Sequence, residues 1–393
     1  MAHRASGTHD LLIVANEPTP YNTDLFNALA ALPGWRTTVF YAQARSWEKD
    51  AGHDYRRMPE WRYEATLAKG KGLTGQLVST WRMLGLLRQL RPAILLVSGY
   101  NDIPHAAAIV LGVLSGVPFA FWVDQFNLGK PRRGGWPARM ARDSMRRMVF
   151  KQAAAVLVCG RPGYVSARSA GCPESKLVDF PYVVDVSRIQ NLAASCSGVS
   201  GWDSRAHLGR LILFSGRLIA RKGLDVLFDA LDRLHSRRTN FFLVVEGDGP
   251  LRADYERKAQ AARFADNVRF VGFRQMDEHA FLLSKADIVV VPSTHDPWGL
   301  VVHEGMLMGK PVCASSAVGA AVDRIVSGRN GFIFPSGDAD ALAKLLTLLL
   351  EDDGLRRRAG QSARETAKGL TPERNARVLL SSVLKRVEIS PRI

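Results

Sequence analysis

The stretch that most constrains this chain runs from Ala286 to Lys310, ADIVVVPSTHDPWGLVVHEGMLMGK. Ile288 to Val291 is a charge-free β-branched run and reads as a buried strand. Pro292 to Gly299 reads as the loop leaving its C-terminal end, and a helix is expected to start near Leu300. In an open α/β sheet, ligands collect where strand ends meet helix starts, because the first N–H groups of a helix are unpaired and its dipole favours an anion. Gly299 lets a phosphate approach that backbone closely. Two acidic residues, Asp296 and Glu304, bracket the turn eight positions apart. They could hold the hydroxyls of a sugar on either side of a phosphate.

The rest of the chain repeats this rhythm. Leu11 to Ala15 reads as the first buried strand, the loop Asn16 to Asn22 follows, and a helix carries Leu25, Phe26, Leu29 and Leu32 at helical spacing. Strands at Thr37 to Tyr41, AILLVSG, FAFWV and Ala154 to Cys159 alternate with helices, one of them at 74–90. Leu177 to Asp185 reads as the last short strand of this half, and Trp47 to Glu64 has no clear assignment. Ile103 to Val123 is uncharged and approaches membrane-spanning length, but Ser115-Gly116-Val117-Pro118 breaks it into a helix and a strand. Ser187 to Ser204 is small and polar and reads as a linker. Strands at Leu211 to Ser215, Phe241 to Glu246, Val268 to Phe273, Pro311 to Ser315 and Gly331 to Phe334 then restart the pattern, and Asp338 stands in capping position before a helix to Leu350. Such alternation argues for parallel strands with helices on both faces, and 393 residues argue for two domains.

Charge narrows the partners. A net charge of +16 predicts attraction to polyanions, anionic lipid surfaces or phosphorylated substrates, without choosing among them. Much of it lies in one segment, with Lys130, Arg132, Arg133, Arg139, Arg142, Arg146, Arg147 and Lys151 against Asp143, interleaved with Trp136, Met140, Met145, Met148, Val149 and Phe150. Two readings stand: a basic amphipathic helix lying on an anionic membrane, or a solvated helix whose apolar side packs on the sheet. Cys159, Cys172, Cys196 and Cys313 show no CxxC spacing, so neither a disulfide framework nor a zinc site is expected, and a reducing cytoplasm fits. The start, MAHRASGTHD, lacks the apolar core of a secretory signal, which makes a soluble start the expectation.

The chemistry concentrates at strand ends. Arg217 and Lys222 flank the strand-to-helix turn GRLIARKG, where an Arg fork and a Lys point charge beside glycine-relieved backbone at Gly216 can neutralise a diphosphate. Asn16, Glu17 and Tyr21 lie in the first strand-end loop and serve either as turn and cap residues or in acceptor binding. Dinucleotide, P-loop and hydrolase fingerprints are missing, and no D-x-D stands in surroundings that suit a metal.

GRLIARKGLDVLFDAL, VVEGDGPLR, VRFVGF, DPWGLVVHEGMLMGKPV and VSGRNGFIFPSGD, in this order and spacing, resemble the C-terminal domain of the family 4 retaining glycosyltransferases of GT-B fold, the glycosyl transferases group 1. The likeness is strong over about Leu211 to Leu350 and weak before it. It implies two doubly wound Rossmann-like domains facing across a deep cleft: 1–187 for the acceptor, 188–374 for the nucleotide sugar, and a terminal helix at 375–393 packing back on the first. The family pattern E-x-F-G-x-x-x-x-E reads D-P-W-G-L-V-V-H-E here, with Asp296 in place of the usual Glu. By that motif Glu304 would accept from the ribose hydroxyls and Asp296 from the donor sugar. The backbone of Trp298, Gly299 and Leu300 would meet the diphosphate, Arg217 and Lys222 would neutralise it beside Gly216, and Val271 and Gly272 would lie near the nucleobase. Where the family often has a histidine after the strand ending FWVDQ, this chain carries Asp124, which would face the reacting centre from the first domain; His105 and His303 are the other candidates.

The resemblance implies a hexosyltransferase-type enzyme that is retaining, uses no metal or cofactor and draws on a UDP- or GDP-linked sugar. Its acceptor would be a glycan or a polyprenyl-diphosphate-linked intermediate of bacterial polysaccharide or glycolipid synthesis. A cytoplasmic place, peripheral on the inner face of the membrane, would follow, with no nucleic-acid partner. A GT-B sugar-nucleotide epimerase and a nucleic-acid-binding protein are the rival readings.

Overall fold

The computed structural model describes residues 8–42, 60–67, 72–100, 102–126, 135–200, 209–235 and 240–386. They form two compact units. The first runs to Tyr182 and takes up the chain again from Pro372; the second holds Val183–Thr371.

In the first unit seven strands form one sheet: β1 (His9–Ala15), β2 (Trp35–Tyr41), β3 (Glu64–Leu67), β4 (Ile94–Ser98), β5 (Phe119–Val123), β6 (Ala155–Val158) and β7 (Leu177–Asp179). Every pairing is parallel and the order is β3-β2-β1-β4-β5-β6-β7. The helices are α1 (Pro20–Ala30), α2 (Gly72–Leu90), α3 (Ile103–Leu114), α4 (Trp136–Gln152) and α5 (Gly160–Ser169). Side chains alternate across a strand, so Leu12 and Val14 of β1 join a core with Met83 of α2, Ile109 of α3 and Val149 of α4. Leu11 and Ile13 point the other way, onto Phe26 and Leu29 of α1.

The second unit opens with α6 (Val186–Ser195) and builds a six-stranded sheet from β8 (Arg210–Ser215), β9 (Phe241–Glu246), β10 (Val268–Gly272), β11 (Ile288–Val291), β12 (Val312–Ser315) and β13 (Phe332–Phe334). Its order, β10-β9-β8-β11-β12-β13, is again wholly parallel. Helices α7 (Leu224–His235), α8 (Arg252–Ala261), α9 (Met276–Lys285), α10 (Leu300–Leu307), α11 (Gly319–Arg324), α12 (Ala339–Glu351) and α13 (Asp353–Ala367) complete it. The last helix, α14 (Pro372–Leu384), belongs to the first unit, where Ala376, Leu379, Leu380 and Val383 join the core beside α1. In both sheets the winding reverses beside the first strand, between β1 and β4 and between β8 and β11, and a crevice opens at such a point outside the strand ends.

Four local expectations need correction. The segment read as a linker from Ser187 contains α6: Asp185 caps it by accepting from Arg188 N at 3.0 Å, Ile189 is buried, and the small polar residues around it hide the helical period. The strand expected to reach Asp185 ends at Asp179. β3 was not foreseen, because an edge strand paired only with β2 has no apolar run to betray it. The loop 16–22 stops at Thr19, whose hydroxyl accepts from Asn22 N at 3.3 Å, so Tyr21 stands in the first turn of α1. Most of Trp47 to Glu64, Lys130 to Arg133 and Gly201 to Ser204 lie outside the described residues. Among the described residues no helix is long and apolar enough to cross a membrane.

Candidate functional site

In the second unit the loops leaving β8 and β11 are built against each other. After Gly216, a turn of 3-10 helix at Ala220–Lys222 ends on Gly223 in the left-handed region, φ +70°. A Cβ at Gly223 would lie 2.0 Å from the carbonyl oxygen of Pro292, so only glycine permits this approach. Thr294 N donates to Arg221 O at 2.8 Å across the same seam. The result is an ion pair between two of the expected site residues: Lys222 Nζ donates to Asp296 Oδ2 at 2.6 Å, with the Asp296 side chain 9% exposed. A Cβ on Gly216 would lie 3.8 Å from Lys222 Cδ, so Gly216 borders the ammonium's stem.

Asp296 is fixed by its backbone as well, since its N–H donates to Ala317 O at 3.1 Å and its carbonyl accepts from Gly319 N at 3.0 Å. Gly299 begins α10 at φ +83°, and a Cβ there would stand 2.5 Å from Val318 Cγ1. Its lack of a side chain therefore serves the packing of the turn as well as any approach to the backbone. The Trp298 ring is buried with the Arg324 guanidinium 5.7 Å above it, and Ala320 N donates to Trp298 O at 2.7 Å. Leu300 is the first helical residue of α10. Arg217 follows directly on Gly216 at the end of β8. Val271 and Gly272 end β10; Val271 is buried, and Arg252 Nη1 lies 3.1 Å from where a Gly272 Cβ would be.

Glu304 lies within α10, 5% exposed, and its Oε2 is 3.3 Å from His279 Nε2. His279 Nδ1 is 2.8 Å from Glu246 Oε2 and 3.0 Å from Oε1. Burial alone would lower this imidazole, but the two carboxylates outweigh it and hold His279 well above its ordinary value, as an imidazolium donating at both nitrogens. Neither Glu246 nor His279 was among the expected site residues. The signal was present as a lone charge ending the apolar strand FFLVVE and a lone histidine on an otherwise apolar face of α9.

His303 and His105 have structural surroundings. His105 Nδ1 bonds Asp102, the N-cap of α3. Burial, with the Arg324 guanidinium nearby, pushes His303 down to about 4. Its folded value lies below the unfolded one near 6.5, so as pH falls the unfolded chain takes up the proton first. Stability should therefore drop from about pH 6.5 down to about pH 4, by up to ~3 kcal/mol from this residue. Urea unfolding of His303→Gln should show a flatter curve across that window; a slope equal to that of the unchanged protein would exclude the contribution.

In the first unit Asp124 and Tyr21 come together. Asp124, next after β5, accepts from Tyr182 OH at 2.6 Å, and Tyr182 meets the Tyr21 ring edge-on at 4.9 Å. Cys159 Sγ lies 3.9 Å from Asp124 Oδ1. Burial pushes the Tyr21 hydroxyl up to about 12, a bond with Thr19 opposes this, and the charges of Asp124 and Glu17 add to it. Asn16 is exposed at the end of β1. Tyr182 was missed, being 58 residues from the carboxylate it binds. Among the described residues no group of three His, Cys, Asp or Glu side chains is arranged to hold a metal ion.

Two doubly wound parallel sheets, each with charged and glycine-bearing loops at its switch point, define a GT-B architecture of two Rossmann-like units. The family description "Glycosyl transferases group 1" matches residues 205–366, and "Glycosyl transferase 4-like domain" matches residues 17–183. The chain belongs to the family 4 glycosyltransferases of GT-B fold. It is 28% identical over 229 residues to alpha-D-kanosaminyltransferase of Streptomyces kanamyceticus, covering 57% of this chain and 58% of that one. It is 32% identical to phosphatidyl-myo-inositol mannosyltransferase of Mycobacterium leprae, covering 47% of each. The chain spans about half the length of the curated relatives it matches. In fold it is similar to Anabaena HepE, solved in complex with UDP, with a TM-score of 0.72, 16% identity, and coverage of 96% of this chain and 100% of that one.

Proposed function

We propose that the protein moves a sugar from a UDP- or GDP-linked donor to an acceptor hydroxyl, with retention at the anomeric carbon and without a metal or other cofactor. The observation that carries this is the Lys222–Asp296 pair at 2.6 Å, set at the β8/β11 switch point beside the start of α10. A cation for the departing diphosphate thus stands against a carboxylate for the sugar it leaves. Negative charge grows on the diphosphate as the bond to the sugar breaks, and preorganised cations stabilise that state more than the ground state. Arg217 and Lys222 supply the charge, the N–H groups from Trp298 to Leu300 receive the phosphates, Glu304 accepts from the ribose, and Val271 and Gly272 flank the base. The HepE structure, solved with UDP, supports the nucleotide type.

In the first unit, Tyr21 and Asn16 are assigned to the acceptor and Asp124 to the reacting centre. The name of the mycobacterial relative supports a lipid-linked acceptor. So does α4, whose Val149 and Phe150 pack on the sheet while Trp136 and Met140 are exposed on a helix carrying Arg142, Arg146, Arg147 and Lys151. The apolar packing at one end of the helix and the exposed, cation-bearing stretch toward the other support a peripheral place on an anionic membrane. Vesicles containing phosphatidylglycerol should sediment the protein at low salt and fail to sediment a charge-reversed α4 variant; equal sedimentation of both would exclude this surface. The relatives named above are transferases, which favours neither epimerisation nor nucleic-acid binding.

Thermal melting against UDP- and GDP-linked sugars in the presence of EDTA tests the reading. A donor at a hundred times its Kd adds about 2.7 kcal/mol, or roughly 5–10 °C for a unit of this size. No shift with any nucleotide sugar, or a shift and turnover that need manganese, would overturn it.

A further inference from the structure

The donor reading gives Glu304 a task but leaves Glu246 and His279 without one. Both are buried, at 4% and 7% exposure, and they come from different elements, the end of β9 and the middle of α9. A buried carboxylate and imidazole are expensive to keep unless they are paired, and these are paired in series. Glu246 grips Nδ1 with both oxygens, at 2.8 and 3.0 Å, which fixes the ring and turns Nε2 onto Glu304 Oε2 at 3.3 Å. Among the described residues Glu304 Oε1 takes no hydrogen bond. One oxygen of the carboxylate is therefore held, and the other keeps its accepting capacity.

We propose that His279 is a positioning residue for nucleotide recognition: braced by Glu246, it holds Oε2 of Glu304 and leaves Oε1 to accept from the donor's ribose hydroxyls. This rests on the donor reading of Glu304. The positive charge on His279 also offsets one of the two buried carboxylates that it bonds. The arrangement follows the logic by which an outer carboxylate orients a histidine and the histidine orients the group that touches the ligand.

Calorimetric titration with UDP and GDP and with their 2′,3′-dideoxy analogues tests this in the full-length protein. The unchanged protein should prefer the ribonucleotide at least tenfold, since a hydrogen bond to a charged group carries about that much. Glu304→Gln should lose most of the preference, and so should His279→Gln and Glu246→Gln, while the affinity of all three for the dideoxy analogue stays near that of the unchanged protein. Should a variant fail to fold, the nitrogen-15 histidine spectrum of the unchanged protein still decides: His279 should show the imidazolium pattern at pH 7.5, and a neutral tautomer would overturn the proposal. No binding of either nucleotide would remove the donor reading and this inference with it. A preference lost in Glu304→Gln but intact in both His279→Gln and Glu246→Gln would leave the donor reading standing and overturn the positioning role alone.

Discussion

Lys222→Ala should lower kcat by about 10²–10³-fold, the effect of deleting one preorganised donor from a site where charge develops. KM for the nucleotide sugar should change far less, because an interaction that strengthens as the diphosphate departs acts on turnover more than on ground-state binding. The fold should survive. Lys222 is 20% exposed at its side chain, its loop is held by backbone bonds independent of the ammonium, and the melting temperature should fall by only a few degrees. Lys222→Arg should recover a small part of the rate, since a planar fork restores charge but not the point geometry that reaches Asp296 Oδ2 at 2.6 Å. Initial-rate measurements on the three proteins decide the matter, and a Lys222→Ala enzyme within threefold of the unchanged one would remove Lys222 from the chemistry.

The pairing of Lys222 with Asp296 also shows what could be read from the sequence. The two residues are 74 positions apart, yet each follows an apolar run in a strand–helix alternation, a pattern that argues for parallel strands and so sends their C-terminal ends to one edge. Placement that depends only on that edge was therefore legible: Arg217 and Lys222 lie beyond the end of β8, Asp296 and Gly299 beyond β11, Asn16 beyond β1 and Asp124 beyond β5. Contacts that depend on how far a helix rotates over the sheet were not. His279 reaches Glu246 and Glu304 because of the way α9 is turned against the sheet, and nothing in MDEHAFLLSK states that rotation. Tyr182 escaped for a related reason, since it lies past the end of β7 in a stretch whose apolar letters, FPYVV, suggest more strand than there is. The departures α6 and β3 have separate causes: the small polar residues after VSRIQNLAAS hide its helical period, and β3 is an edge strand only half covered.

The largest stability effect is expected at a residue that makes no contact with substrate. Gly223→Ala should lower the melting temperature of the second unit by roughly 10 °C or more, at 2–4 °C per kcal/mol for a body of this size. Two costs combine. An alanine at φ +70° is strained by about 1–2 kcal/mol. Its methyl would also lie 2.0 Å from Pro292 O, a backbone atom at the foot of the β11 loop that cannot rotate aside. Relief must come from parting the two loops, which breaks the bond from Thr294 N to Arg221 O and draws Lys222, the adjacent residue, away from Asp296. Gly328→Ala separates the costs, because that glycine has φ +84° and nothing within 4 Å of its Cβ position, so it carries the strain without the collision. Calorimetry should find Gly328→Ala within about 2–8 °C of the unchanged protein. Gly223→Ala should lie well below both and show no detectable UDP or GDP binding. Equal melting temperatures for the two variants would mean that the loops can part at no cost, and the close approach that places Lys222 against Asp296 would lose its role.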